Sequence, residues 1–262
     1  MYKEKFDLSG KVAILTGGTG LIGAAFGEGL AECGCNVVIC DIEQKSCDNR
    51  AKFLEKEFGV ECIGVAADVS NKVDVERLLA EVLKKFGKVD ILVTCHQNKT
   101  ANFFEKFEEY PEKDWDDIIS VNLKGVFLCC QIIGKQMLKQ GYGNIINIAS
   151  TYGVVSPNQE IYEGTKMGCP AAYSASKGGV IALTKYLATY WGDRNIRVNA
   201  ISPHGVFNNH EKKFVENFSK KSPLRRMSYK EEVVGALIFL ASDASSYITG
   251  HNLMVDGGWS VW

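Results

Sequence analysis

Seven short runs rich in β-branched residues, at 12–16, 36–41, 62–66, 91–94, 144–148, 197–201 and 253–255, are separated by longer segments with helical spacing. The helical segments fall at 21–33, 45–58, 72–86, 113–140, 172–191 and 230–242. This alternation constrains the fold more than any other feature. A strand, a helix and a second strand close as a right-handed crossover, and a series of crossovers builds a parallel sheet covered by helices on both faces. No internal repeat, low-complexity tract or linker interrupts the 262 residues, so a single α/β domain, 1–262, is expected.

The first run feeds the segment Thr16-Gly-Gly-Thr-Gly-Leu-Ile-Gly23, which opens the first helix. Gly17, Gly20 and Gly23 permit a tight turn, close approach of backbone to a pyrophosphate, and close packing of helix on strand. With Thr19, Leu21 and Ile22 they form a loop whose N–H groups, at a helix N-terminus, suit phosphate. The expected fold is therefore a Rossmann-type doubly wound sheet of seven parallel strands flanked by helices. Asp41 ends the second run, eighteen residues past Gly23. A carboxylate there accepts both ribose hydroxyls of adenosine and repels a 2′-phosphate, which favours NAD(H) over NADP(H). Its competing role is an ordinary helix cap. Asp68, at the end of the third run, suits either the adenine amino group or the N-cap of the next helix.

Two Tyr-x-x-x-Lys pairs follow, Tyr162/Lys166 and Tyr173/Lys177. Residues four apart share a helix face, so the ammonium can sit near the phenol, favour phenolate and lower its pKa towards neutral pH. Tyr173 begins a long run with helical spacing, whereas Tyr162/Lys166 contains Gly164 and precedes Gly168 and Pro170, which break helices. Tyr173/Lys177 is thus the expected reactive pair, and Tyr162/Lys166 belongs to a loop.

Composition narrows the function class. Lys and Arg number 30 against 31 Asp and Glu, with no basic stripe, so nucleic acid is not an expected partner. The N-terminal residues Met1 to Phe6 contain no apolar stretch, and no apolar run approaches membrane-spanning length, so neither a signal peptide nor a membrane partner is expected. Nine cysteines read as free thiols in a reducing, cytoplasmic setting. Cys33/Cys35 and Cys129/Cys130 lack a second ligand pair at zinc spacing, so no metal is expected.

Taken with Asp68-Val69, Val121-Asn122-Leu-Lys-Gly125, Asn144-Ile-Ile-Asn-Ile-Ala-Ser150, Ile196-Arg-Val-Asn-Ala-Ile-Ser-Pro203 and the ending Asp256-Gly-Gly258, these motifs resemble the short-chain dehydrogenase/reductase (SDR) family over nearly the whole chain. In that family a proline follows the catalytic tyrosine by about thirty residues, and Pro203 is thirty residues past Tyr173. The resemblance implies a catalytic tetrad. Asn122 would hold a water in a proton relay, Ser150 would bond the substrate oxygen, and Tyr173 would pass the proton. Lys177 would bind the nicotinamide ribose and depress the tyrosine pKa. It also implies that Val69, Pro203 and Val206 line the cofactor site. A homotetramer or homodimer is implied, with helices 113–140 and 172–191 at one interface.

Several positions depart from the family pattern. The second loop glycine falls one position early, as in the extended branch that contains sugar-nucleotide epimerases and dehydratases. Thr94-Cys-His-Gln97 replaces the family's Asn-Asn-Ala-Gly and places His96 beside the cofactor, either as a substrate contact or as a structural histidine. His204 replaces the glycine after Pro203, and Asn208 stands where relatives have a carboxamide-binding threonine. Ser150 and Tyr173 lie twenty-three residues apart rather than about thirteen, which leaves an insertion at 156–170, expected over the active-site mouth. A substrate-loop region is expected at 204–228.

The expected function is NAD(H)-dependent interconversion of a secondary alcohol and a ketone. Asn158, Gln159, Glu160, Tyr162, His204, Asn208, Asn209 and His210 are the polar pocket candidates. Few large apolar residues accompany them, which points to a sugar, sugar acid, polyol or sugar nucleotide as the small-molecule substrate. A resemblance to bacterial sugar and sugar-acid oxidoreductases agrees. Two alternatives remain, a nicotinamide-retaining dehydratase or epimerase and a non-catalytic nucleotide-binding homologue. Lys212, Lys213, Lys220, Lys221, Arg225 and Arg226 form either an anion-binding cluster or the solvated face of a lid helix. Trp259 and Trp262 are candidates to anchor the tail across a subunit boundary.

Overall fold

The computed structural model describes residues 1–261; Trp262, with the anchoring role expected of it, lies outside the described residues. β1 (Val12–Thr16), β2 (Asn36–Asp41), β3 (Cys62–Ala66), β4 (Ile91–Thr94), β5 (Gly143–Ile148), β6 (Ile196–Pro203) and β7 (Asn252–Val255) pair in parallel. They form one seven-stranded sheet in the order β3-β2-β1-β4-β5-β6-β7. β1, β4 and β5 are buried along their whole length, as strands covered on both faces must be; β1 and β4 are accordingly apolar up to a final threonine, while β5 also buries Asn144 and Asn147.

The helices divide between the faces. α1 (Leu21–Glu32), α2 (Gln44–Phe58) and α8 (Glu231–Ala241) bury Phe26, Leu54 and Leu237 on one side. α3 (Lys72–Phe86), α5 (Val126–Gln140) and α6 (Ala171–Trp191) bury Leu78, Ile133 and Val180 on the other. The chain reverses direction across the sheet between β1 and β4, so the crevice beyond their C-terminal ends is where a ligand belongs.

Two features differ from expectation. The segment read as one helix comprises α4 (Glu112–Ile119), a widened π-helical turn at Ser120–Gly125, and α5. Together they run unbroken for 29 residues, long and apolar enough by composition to cross a membrane, contrary to the expectation that no run approaches that length. Its most apolar window is half buried in this fold, with Cys129, Ile133 and Met137 in the core beside α3. Second, 204–228 contains a helix, α7 (Lys212–Lys221), which lies outside the six segments of helical spacing and where a helix is expected only as one of two readings of the lysine cluster. Its sequence is dominated by lysines, and its only buried residues are Phe214 and Phe218, one turn apart. It packs on the insertion, where Ile161, Phe214, Phe218, Met227 and Trp259 form a small separate core.

Candidate active site

The glycine loop is built by close contacts. Gly17 has φ 67°, a conformation L side chains rarely adopt, and a Cβ there would lie 2.7 Å from the Cys95 carbonyl oxygen. At Gly23 a Cβ would lie 2.0 Å from the Gly17 carbonyl oxygen. α1 therefore begins flush against the loop. Its N-cap, Gly20, puts no side chain over the first-turn N–H groups, and no acidic residue lies in that turn. Such an uncapped N-terminus fits a pyrophosphate. Thr19 donates to Asp41 Oδ2 from both its N–H (3.1 Å) and its hydroxyl (2.5 Å). Asp41 does not cap α2, whose N-cap is Glu43. Asp68 is likewise not the cap of α3: Asn71 fills that position, and Asp68 Oδ1 accepts from the Ser70 N–H and hydroxyl in the preceding turn.

A single cavity of about 780 Å³ runs from this loop to the insertion. Gly17, Thr19, Gly20, Leu21, Ile22, Gly23, Asp41, Asp68 and Val69 line one end, and Ser150, Tyr173, Lys177, Pro203 and Val206 line the other. The arrangement fits a dinucleotide bound with adenosine near Asp41 and nicotinamide near Tyr173. His96, Tyr162, His204, Asn208 and His210 also line it. Asn158 does not: its carboxamide accepts from the Glu160 N–H and caps a short turn at Gln159–Tyr162. Glu160 pairs instead with Lys221.

The residues expected to carry the chemistry cluster at the C-terminal end of β5. Ser150 is buried and its Oγ accepts from the Tyr152 N–H (3.1 Å). Lys177, also buried, donates to the Ile148 carbonyl (2.8 Å), and its Nζ lies 5.8 Å from the Tyr173 ring centroid. Burial lowers its pKa to about 8. The same burial pushes Tyr173 up to about 12, opposed by the Ser150 hydroxyl. The resemblance implies a phenol pKa depressed by Lys177; in the protein by itself burial is the larger influence and acts in the opposite direction. Asn122 sits in the π-helical turn, fully buried. The Asn98 N–H donates to its Oδ1 (2.7 Å), and among the described residues its buried Nδ2 has no partner. π-turns inside α-helices are frequent at functional sites because they redirect such a side chain.

The two unusual histidines have separate settings. His96 Nδ1 and the Thr16 hydroxyl lie 2.6 Å apart, tying the ends of β1 and β4 together, and burial takes its pKa down to about 3. His204 is enclosed by the rings of Tyr152, Phe218 and Trp259 at 4.4–5.0 Å, and burial lowers it to about 4. The cavity also has walls that sequence reading missed. Phe103, Phe104, Met167, Phe214, Phe218 and Met227 make it more apolar than the polar candidates suggested. They come from loops and α7, where no periodicity marks which side chains turn inward. Tyr152 was missed too, although its place two residues after Ser150 was a usable signal.

A Rossmann sheet with a nucleotide cradle opening onto a Ser, Tyr and Lys cluster defines a nucleotide-dependent oxidoreductase. A family model described as enoyl-(acyl carrier protein) reductase matches residues 19–260. An NAD-dependent glycerol dehydrogenase from Listeria innocua is 36% identical over 99% of this chain and 98% of its own length. A D-threitol dehydrogenase from Mycolicibacterium smegmatis is 36% identical over 98% of this chain and 95% of its own. The structure of a gluconate 5-dehydrogenase from Burkholderia cenocepacia, in complex with NADP and tartrate, superposes with a TM-score of 0.87 at 30% identity, over 99% of this chain and 98% of that one. The chain belongs to the short-chain dehydrogenase/reductase family.

Proposed function

We propose that this protein interconverts a secondary alcohol and a ketone on small polyhydroxylated substrates, with NAD(H) as its preferred nucleotide. The observation that carries the reading is that Ser150, Tyr173 and Lys177 share one cavity with the glycine loop and Asp41. When bound, nicotinamide would accept or supply the hydride. Ser150 donates a hydrogen bond to the substrate oxygen and fixes the reacting carbon. Tyr173 takes the carbinol proton in oxidation and returns one to the carbonyl in reduction. Lys177 holds its ammonium behind the phenol, and Asn122, with its uncommitted Nδ2, supports the proton path beyond it. Preference for NAD(H) rests on Asp41, whose carboxylate would repel a 2′-phosphate; the similar proteins include both an NAD-dependent enzyme and an NADP complex. The polyhydroxylated class rests on the glycerol, threitol and gluconate activities of those proteins.

Assembly as a homotetramer or homodimer is supported by aromatic surface on α4–α5 (Trp115, Phe127) and on α6, where exposed Tyr186 and Tyr190 stack at 5.6 Å. Nine free thiols support a cytoplasmic location. The test is absorbance of NADH and NADPH against a panel of polyols, sugar acids and their keto forms. Turnover with NAD+ is expected; tight nucleotide binding without turnover of any of them would refute the reading.

A further inference from the structure

We propose that the paired hydroxyls of Tyr152 and Tyr162, with the His204 ring beside them, recognise hydroxyl groups of the substrate away from the reacting carbon. The insertion thereby sets a preference for polyhydroxylated over simple secondary alcohols. The proposal rests on the dehydrogenase reading above and deepens it.

The two phenol oxygens lie 2.9 Å apart in the wall of the cavity that holds Tyr173. One hydroxyl donates to the other, which leaves one O–H and several lone pairs for a ligand. Burial raises both pKa values, so both remain protonated and serve as donors and acceptors rather than as bases. His204 meets the Tyr152 ring edge-on at 5.0 Å and is neutral at physiological pH. Among the described residues its buried Nε2 has no hydrogen-bond partner. A polar nitrogen left so is destabilising, and a substrate hydroxyl bonded to it would relieve that.

The pair is held in register with the chemistry. Tyr152 lies on the short turn that Ser150 caps, and its own N–H donates to the Ser150 hydroxyl. Tyr162 is fixed from the opposite side by stacking on Phe214 of α7 at 5.7 Å. Asn217 of α7 donates to the carbonyls on either side of it, Ile161 (3.3 Å) and Glu163 (3.0 Å), and the Thr165 hydroxyl donates to Tyr162's own carbonyl (2.8 Å). α7 and the insertion therefore present Tyr162 to the cavity as one packed unit. The tyrosine of the non-catalytic Tyr-x-x-x-Lys pair acquires a role through this placement.

The experiment compares kcat/KM for a butanetetrol and sec-butanol, which share one carbon skeleton, with NAD+ and enzyme carrying Tyr152→Phe, Tyr162→Phe or both. Phenylalanine keeps the ring contacts and removes only the hydroxyl. The tetrol-to-butanol ratio is expected to fall about tenfold in each single variant, through KM, as for one lost hydrogen bond. The double variant is expected to fall little further, because the two hydroxyls act as a unit. A parallel loss on both alcohols, with a lowered melting temperature, would show a structural clasp and overturn the proposal. So would an unchanged ratio. Wild-type enzyme that oxidises sec-butanol but not the tetrol overturns this proposal alone; if it oxidises neither but turns over another member of the wider panel, this proposal falls and the dehydrogenase reading stands, and only failure of the whole panel removes both.

Discussion

Gly23→Ala is the sharpest single perturbation of the cofactor cradle. Its Cβ would lie 2.0 Å from the Gly17 carbonyl oxygen and 2.9 Å from the Gly17 carbonyl carbon, whereas ordinary contact begins at 3.4 Å. Relief requires the loop and the start of α1 to separate by about 1.4 Å, the difference between those contacts. The loop cannot yield easily, because Gly17 is held at φ 67° with its own Cβ position 2.7 Å from the Cys95 oxygen. Overpacking of this kind costs about 1–3 kcal/mol of stability, about 2–4 °C of melting temperature per kcal/mol in a chain of this size. The loss of function should be larger. Moving the loop N–H groups by about 1 Å loses charge-assisted hydrogen bonds to the pyrophosphate worth about 1.5–3 kcal/mol each, so the NADH dissociation constant is expected to rise on the order of a hundredfold. NADH fluorescence titration and thermal melts read both quantities. Gly235→Ala supplies the control: it lies in α8 with nothing within 4 Å of its Cβ position, and the substitution should stabilise by about 0.5–1 kcal/mol. If Gly23→Ala binds NADH within threefold of wild type and melts unchanged, the packing argument is refuted.

Asp41→Asn removes the charge a 2′-phosphate would meet, about 4 kcal/mol for charges about 4 Å apart near a surface before salt screening. The NAD+ to NADP+ ratio of kcat/KM is expected to fall at least about tenfold; an unchanged ratio would move selectivity elsewhere. With Tyr173 held up to about 12, the phenolate fraction grows with pH across the working range. Alcohol oxidation should therefore accelerate towards alkaline pH while ketone reduction does not, as initial rates in both directions will show. His96 stays neutral in the fold down to about pH 3, whereas an unfolded chain protonates its histidines near pH 6.5. Below that pH the unfolded state binds more protons, so stability present above about 6.5 declines as pH falls towards 3. Denaturant melts should show this acid limb, shallower in His96→Gln. Light scattering is expected to give a dimer or tetramer that Tyr186→Glu/Tyr190→Glu dissociates.

Much of the fold was legible because parallel strands and their helices carry separate periodicities, and each of the seven strands falls where its apolar run stands. The glycine loop was legible for a related reason: steric demand at Gly17 and Gly23 leaves a mark in the residue type itself. That Tyr173 lies on a long helix and Tyr162 in an irregular segment was legible from the helix-breaking residues around Tyr162. What the sequence left dark depends on contacts made far along the chain. α7 has only Phe214 and Phe218 facing inward, too few for a pattern, and its partner is the insertion some fifty residues earlier. The aromatic cavity walls arise from loops that have no period. The tyrosine pKa was read from one neighbouring charge, whereas burial, a property of the assembled cavity, dominates it. The π-helical turn at Asn122 changes hydrogen-bond register without any breaker in Ser120–Gly125 except its final glycine.

The central claim is that Tyr173, among the tyrosines of this cavity, moves the proton. The most direct test measures NAD+-dependent oxidation of a polyol that the wild-type enzyme turns over, with Tyr173→Phe and Tyr162→Phe assayed side by side and NADH affinity measured for each. Tyr173→Phe is expected to lower kcat by about 10²–10⁴ with NADH binding largely retained, the range for loss of a positioned acid–base group. Tyr162→Phe is expected to act mainly on KM. Comparable kcat in Tyr173→Phe and wild type, or a collapse of kcat in Tyr162→Phe alone, would contradict the account.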